Sequence, residues 1–148
     1  SDLELRLGIG HRGRVARRGD QLVVNQQGDD EKKLRALLER WYREEALVAL
    51  GDRLNVLAAK YDLRPSGLTI RAQRRRWGSC NSRGHINLNW RLMLMSTELV
   101  DYIIVHELCH LRHMNHSLDF WNLVERCMPD FQGRMARVDA IRGAELPL

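Results

Sequence analysis

The sequence predicts an α+β fold, and three observations carry that reading. Alternating apolar residues occur near the N-terminus and again between residues 68 and 90. A long stretch of helical spacing separates them. A second, strongly apolar helix follows and carries a histidine cluster. Alternation with period two marks half-buried strands, whereas recurrence at three and four residues marks one face of a helix. The architecture expected is a twisted antiparallel sheet packed on two long helices, one of which bears the histidines.

Leu3, Leu5 and Leu7 alternate with Glu4 and Arg6, until Gly8, Gly10 and Gly13 break the pattern. Val15 and then Leu22 to Val24 predict two more short strands, with Gly19-Asp20 as their turn, so residues 1–28 form a strand region. Asp29 or Asp30 can cap a helix over 29–61, whose apolar positions are Leu34, Leu37, Leu38, Trp41, Val48, Leu54 and Leu57. Gly51 is a point at which that helix can kink or divide. Pro65-Ser66-Gly67 ends the region.

Leu68, Ile70 and Ala72 alternate into Arg75-Arg76, and His85 to Trp90 alternate again. Residues 77–84 between them are rich in turn formers. Residues 68–90 therefore read as strand, loop, strand: an antiparallel hairpin. Ser96 or Thr97 caps the next helix, over 96–114, with Glu98 in its first turn. Ser117 suits the N-cap of another helix, and Pro129-Asp130 opens a last one, so residues 117–142 hold C-terminal helices.

Composition narrows the class. The chain has 148 residues, 44% hydrophobic and 29% charged, as a globular domain with a real core does. No apolar run approaches the roughly 20 residues of a membrane span. Ser1-Asp2-Leu3 shows neither the basic nor the apolar region of a signal peptide. The three cysteines, Cys80, Cys109 and Cys127, form no C-x-x-C pair or framework, which argues for reduced thiols and a cytoplasmic setting. The net charge of +5 permits nucleic-acid binding without showing it. Arginines cluster at Arg12, Arg14, Arg17 and Arg18 and again at Arg71, Arg74, Arg75 and Arg76, which reads first as solvated surface. The sequence implies no particular oligomeric state.

The chemistry concentrates in His106-Glu107-Leu108-Cys109-His110. Each helical residue advances about 100° and 1.5 Å, so His106 and His110 stand one turn apart on one face and can reach one ion. Chance produces an H-E-x-x-H pattern in roughly one chain of this size per hundred. Here it follows Leu99, Val100, Ile103, Ile104 and Val105, which mark a buried helix. Buried ionisable groups need partners, and a metal supplies them. A catalytic zinc takes three protein ligands and keeps one open position, so one Zn2+ per chain is expected. Glu107, to one side of the pair, is placed as the general base.

The third ligand is a choice between His113 and His116. On a continuing helix His113 would lie about 10 Å beyond His106. A turn after residue 113 could bring His116 back, with Asn115 suited to a left-handed conformation there. His116 is therefore preferred, with Glu125 as the fallback. The oxyanion donor is not identified by the motif; Arg76, Arg91, Asn89 and His113 are candidates.

Several motifs occur in order: Arg76-Trp77-Gly78-Ser79-Cys80; Gly84-His85-Ile86-Asn87-Leu88-Asn89-Trp90-Arg91-Leu92; Asp101 to Leu111 around the histidine pair; Asn115-His116-Ser117; Phe120-Trp121; and Pro129-Asp130. Together they resemble the YgjP-like metallopeptidase family, zincin-like predicted metal-dependent hydrolases related to the SprT-like and Wss-like proteases. The resemblance is strong over residues 68–131 and looser over the preceding helix. It implies one zincin-like domain over 1–148, with zinc on His106, His110 and His116 and Glu107 as base. The N-terminal strand region is shorter than is usual in the family. Peptide or protein would be the substrate. A functional reading of the Trp77-Gly78-Ser79 loop makes it, with Asn89, a wall of the substrate cleft; the plainer reading is a tight turn with Trp77 in the core.

Three other readings compete. The spacing of the histidines also fits the metzincin pattern, but His113 stands where that pattern has its turn glycine. A DNA-associated binding module, or a SprT-like protease acting on DNA-bound proteins with the metal partly structural, would use the arginine clusters on phosphates. A hydrolase of other amides would share the same centre.

Overall fold

The computed structural model describes residues 4–9, 14–18, 21–26 and 30–142, with side chains from 30 to 141. The chain divides into two compact units, residues 1–45 and 46–148. In the first, strands β1 (Glu4–Ile9), β2 (Arg14–Arg18) and β3 (Gln21–Gln26) form a sheet in the order β1-β3-β2. β3 runs parallel to β1 and antiparallel to β2. Gly8 continues β1 rather than ending it. Gly10, Gly13, Gly19-Asp20, Asp29 and Arg12 lie outside the described residues.

Helix α1 (Glu31–Tyr61) begins in this unit and continues into the second. Asp30 is its cap: its Oδ1 accepts from the backbone N–H of Lys32 at 3.0 Å and of Lys33 at 3.4 Å, two donors that the helix itself leaves unmet. Leu38 and Trp41 are buried in the first unit, with Leu34, Leu37 and Tyr42 packed against them. The helix passes through Gly51 unbroken. Val48, expected in the apolar stripe, is 65% exposed; the buried stripe of the second unit is Ala46, Leu50, Leu54, Leu57 and Ala58.

The second unit holds β4 (Gly67–Arg71), β5 (Gly78–Cys80) and β6 (His85–Asn89), in the order β4-β6-β5. The segments expected to pair as an antiparallel hairpin, β4 and β6, instead run parallel. The antiparallel partner of β6 is β5, a three-residue strand inside the expected loop. The true hairpin is β5–β6. Its turn is closed by Asn81, whose Oδ1 accepts from the N–H of Arg83 and of His85 at 2.9 and 3.0 Å, and by Gly84 at φ 81°. That φ lies in the left-handed region, where a Cβ is costly. Alternation shows which face a residue takes but not which way its partner runs, so the sheet is mixed.

After β6 a short 3-10 turn (Trp90–Leu94) leads to α2 (Thr97–Cys109), α3 (Leu118–Cys127) and α4 (Phe131–Arg142). α2 is the central helix of this unit and packs against β5, α3 and α4. Ile104, Val105, Leu108 and Cys109 on α2 are fully buried, together with Ile86, Leu88, Trp90, Phe120 and Val124. Ser96 occupies the α2 N-cap, although its hydroxyl makes no capping bond. Glu98 in the first turn is held by α4 instead: Arg137 reaches its carboxylate at 2.8 Å and Arg134 its carbonyl at 3.0 Å. Among the described residues no helix is long and apolar enough to cross a membrane.

Candidate metal centre

The α2 helix ends at Cys109, sooner than its sequence pattern suggests. From there the hydrogen bonds shorten by one residue: His110 N–H donates to the Glu107 carbonyl, Leu111 to Leu108 and Arg112 to Cys109, at 3.0–3.1 Å. Such tightening satisfies terminal carbonyls while it unwinds the helix. The chain then turns with no help from a left-handed Asn115. Among the described residues the only non-glycine with positive φ is Asp62. Ser117 is extended (φ −77°, ψ 173°), and its Oγ accepts from the Phe120 N–H at 3.3 Å, starting α3.

This turn brings His116 back to the histidine pair. One ligand nitrogen from each of His106, His110 and His116 lies within 4.8 Å of the others. The Nε2 atoms of His106 and His116 are 3.2 Å apart. Two nitrogens at zinc-bond length from one tetrahedral ion stand about 3.4 Å apart, so the donor set fits a single ion. Among the described residues this is the group of His, Cys, Asp or Glu side chains able to hold a metal.

The surroundings hold the rings in place. His110 is buried, and its Nδ1 lies 2.9 Å from the His113 carbonyl, to which it donates when it carries the proton. That bond leaves Nε2 free as an acceptor, the arrangement in which a neighbouring group sets the tautomer of a ligating imidazole. Burial lowers the His110 pKa below its ordinary value, the His113 carbonyl opposes this, and His116 adds to it. Phe120 touches all three rings, stacked on His110 at 4.4 Å between centroids and edge-on to His106 and His116 at 5.0 and 5.1 Å. Trp121 stacks on His116 at 5.8 Å and on Phe131 at 5.6 Å. The aromatic pair of α3 is therefore the scaffold of the centre. Its sequence signal was adjacency to His116, but helical spacing alone reads both rings as ordinary core.

Glu107 is 6% exposed, and β5 lies beside it. An ideal Cβ on Gly78 would sit 3.2 Å from the Glu107 Cγ. Trp77 is buried and Ser79 half-buried, its Oγ accepting from Asn87 Nδ2 at 3.1 Å. Cys80, on the same face of β5 as Gly78, has its thiol pKa pushed up to about 11, first by burial and then by the charge of Glu107.

Other expected positions fall elsewhere. Asn89 is 3% exposed and committed to backbone: its Nδ2 donates to the Gln73 and Arg76 carbonyls, and its Oδ1 caps the 3-10 turn by accepting from Arg91 N–H at 3.0 Å. It braces the β4–β5 connection rather than lining a cleft. Arg91 is likewise buried, donating to the Ala72 carbonyl at 3.1 Å and lying over the Trp90 ring. Arg76 is exposed. Glu125 does not join the histidines; with His113, Asp119, Asn122, Arg126 and Pro129 it lines an open groove of about 670 Å³.

The model of the YgjP-like metallopeptidase domain matches residues 2–140. The chain belongs to this family. The fold of this YgjP-like domain is similar to two crystal structures of metallopeptidase zymogens. One is abylysin of Pyrococcus abyssi, 22% identical, with a TM-score of 0.57, covering 66% of this chain and 99% of that one. The other is jannalysin of Methanocaldococcus jannaschii, 21% identical, with a TM-score of 0.53, covering 64% of this chain and 95% of that one. No curated protein matches the chain in sequence. The fold is thus α+β and similar to that of these metallopeptidases, and the family to which the chain belongs is one of metallopeptidase domains.

Proposed function

We propose that the chain hydrolyses peptide bonds with one zinc ion held by His106, His110 and His116 and with Glu107 as general base. The observation that carries this reading is the convergence of three imidazoles one residue from a buried carboxylate. Three neutral nitrogens suit zinc among divalent metals. Bound there, zinc supplies Lewis acidity, polarising a scissile carbonyl and lowering the pKa of water to about 7. The residues do the rest. The His113 carbonyl fixes the His110 ring, and Phe120 and Trp121 hold the rings in place. Glu107 takes a proton from the attacking water and gives it to the leaving amine as the C–N bond breaks. Among the described residues no strand pairs with the outer edge of β5, so an extended peptide can add to it beside α2.

The test uses zinc-loaded protein and a broad set of unstructured peptides. Glu107→Gln is expected to keep the metal and lose hydrolysis. A metal-loaded Glu107→Gln protein with full activity would remove Glu107 from the mechanism.

A second reading draws on the exposed run Arg74, Arg75 and Arg76, next to β5. These guanidinium groups can track a phosphate backbone, which would place the substrate protein on DNA. Affinity for duplex DNA that falls steeply with salt supports it; no binding at low salt removes it.

A further inference from the structure

We propose that Gly78 is a positioning residue for Glu107: the bare backbone of β5 at this residue leaves room for the Glu107 side chain against the strand. The proposal rests on Glu107 being the general base. The backbone gives no reason for glycine at this position, because among the described residues Gly84 alone of the glycines has positive φ. Gly78 pairs with Leu88 in an ordinary antiparallel ladder that any residue can adopt. What glycine supplies is space. A Cβ there would stand 3.2 Å from Glu107 Cγ, 3.1 Å from the Asn87 carbonyl oxygen and 3.2 Å from Leu88 Cδ2.

These three contacts are unequal. The Asn87 oxygen belongs to the backbone of β6, the middle strand of its sheet, and cannot yield without disturbing that sheet. Leu88 is fully buried. Glu107 is the longer side chain and the one that ends in the reacting group, so displacement passes to its carboxylate. A shift of a few tenths of an ångström at Cγ is enlarged at the carboxylate oxygens by rotation about the following bonds. General-base catalysis depends on reach within hydrogen-bond distance, and a misplacement near 1 Å can cost about a hundredfold in rate.

The experiment is a double-substitution cycle on the full chain. Melting temperatures of the metal-free protein are measured for wild type, Gly78→Ala, Glu107→Ala and the double variant. Gly78→Ala is expected to lower the melting temperature, and to lower it less once Glu107→Ala has removed the Cγ. The same pairing recovers a Gly78→Ala protein that fails to fold alone. On zinc-loaded protein, Gly78→Ala is expected to lower kcat about tenfold or more, with KM and zinc content held within twofold. Equal melting shifts in both backgrounds would overturn the proposal. So would Gly78→Ala turnover within twofold of wild type while Glu107→Gln is inactive. Full activity of Glu107→Gln would instead refute the general-base reading, while the melting cycle still reports whether the two residues touch.

Discussion

Arg53 on α1 grips Asp101 on α2 through two hydrogen bonds of 2.6 Å, Nε to Oδ1 and Nη2 to Oδ2. The carboxylate is nearly buried and the guanidinium more open, with side chains 13% and 39% exposed. Five residues on from Asp101, His106 leaves α2 on another side, so the pair anchors the helix without entering the centre. Removing the guanidinium leaves a partly buried charge without its fork. Arg53→Ala is expected to lower unfolding free energy by about 1–2 kcal/mol. Urea unfolding measures this, and zinc content of the folded variant should stay unchanged.

His116 and His113 separate cleanly. His116→Ala removes one of three converging nitrogens and is expected to lose most bound zinc, whereas His113 supplies its carbonyl to His110 and not its ring. His113→Ala keeps that carbonyl and should keep about one zinc per chain. Elemental analysis of the purified variants decides it; metal lost in His113→Ala and retained in His116→Ala would reverse the ligand assignment.

Asn89 gives a test of bracing against substrate contact. Its side chain makes three hydrogen bonds to backbone and is 3% exposed. Asn89→Ala would remove all three bonds, at a cost of about 1–3 kcal/mol. A lowered melting temperature with unchanged KM is expected. Unchanged stability with raised KM would put Asn89 back in the cleft.

Cys80 reports on Glu107 chemically. Its pKa near 11, against an ordinary 9.0, means about a hundredfold less thiolate at pH 8. Slow alkylation by iodoacetamide is therefore expected. Because the Glu107 charge raises this pKa, Glu107→Gln should lower it and speed alkylation of Cys80. Mass spectrometry of quenched time points measures both rates, and a slower rate in the variant would contradict the sign.

Much of the centre is legible in the sequence because it is local. Helical geometry alone puts His106 and His110 one turn apart and Glu107 to their side. The apolar run before them marks the helix as buried, and it is. His116 is favoured over His113 by axial distance, and the structure brings it to the pair. The route was less legible: the helix tightens and ends at Cys109, so no left-handed Asn115 is needed.

What tertiary structure decided lies between segments distant in the chain. Period-two alternation assigns faces but is blind to strand direction, so the parallel pairing of β4 with β6, and β5 beyond it, emerged only from packing. Asn89 and Arg91 are polar residues whose partners, the carbonyls of residues 72, 73 and 76, are themselves positioned by the fold. Phe120 becomes the floor under three imidazoles because α3 lies on α2. The sequence by itself determined the α+β class, the histidine pair on one helix face and the carboxylate beside it, since each depends on spacing along one element. The sheet order, the aromatic scaffold and the placing of Gly78 beside Glu107 depend on which surfaces exclude water together, and no single element carries that information.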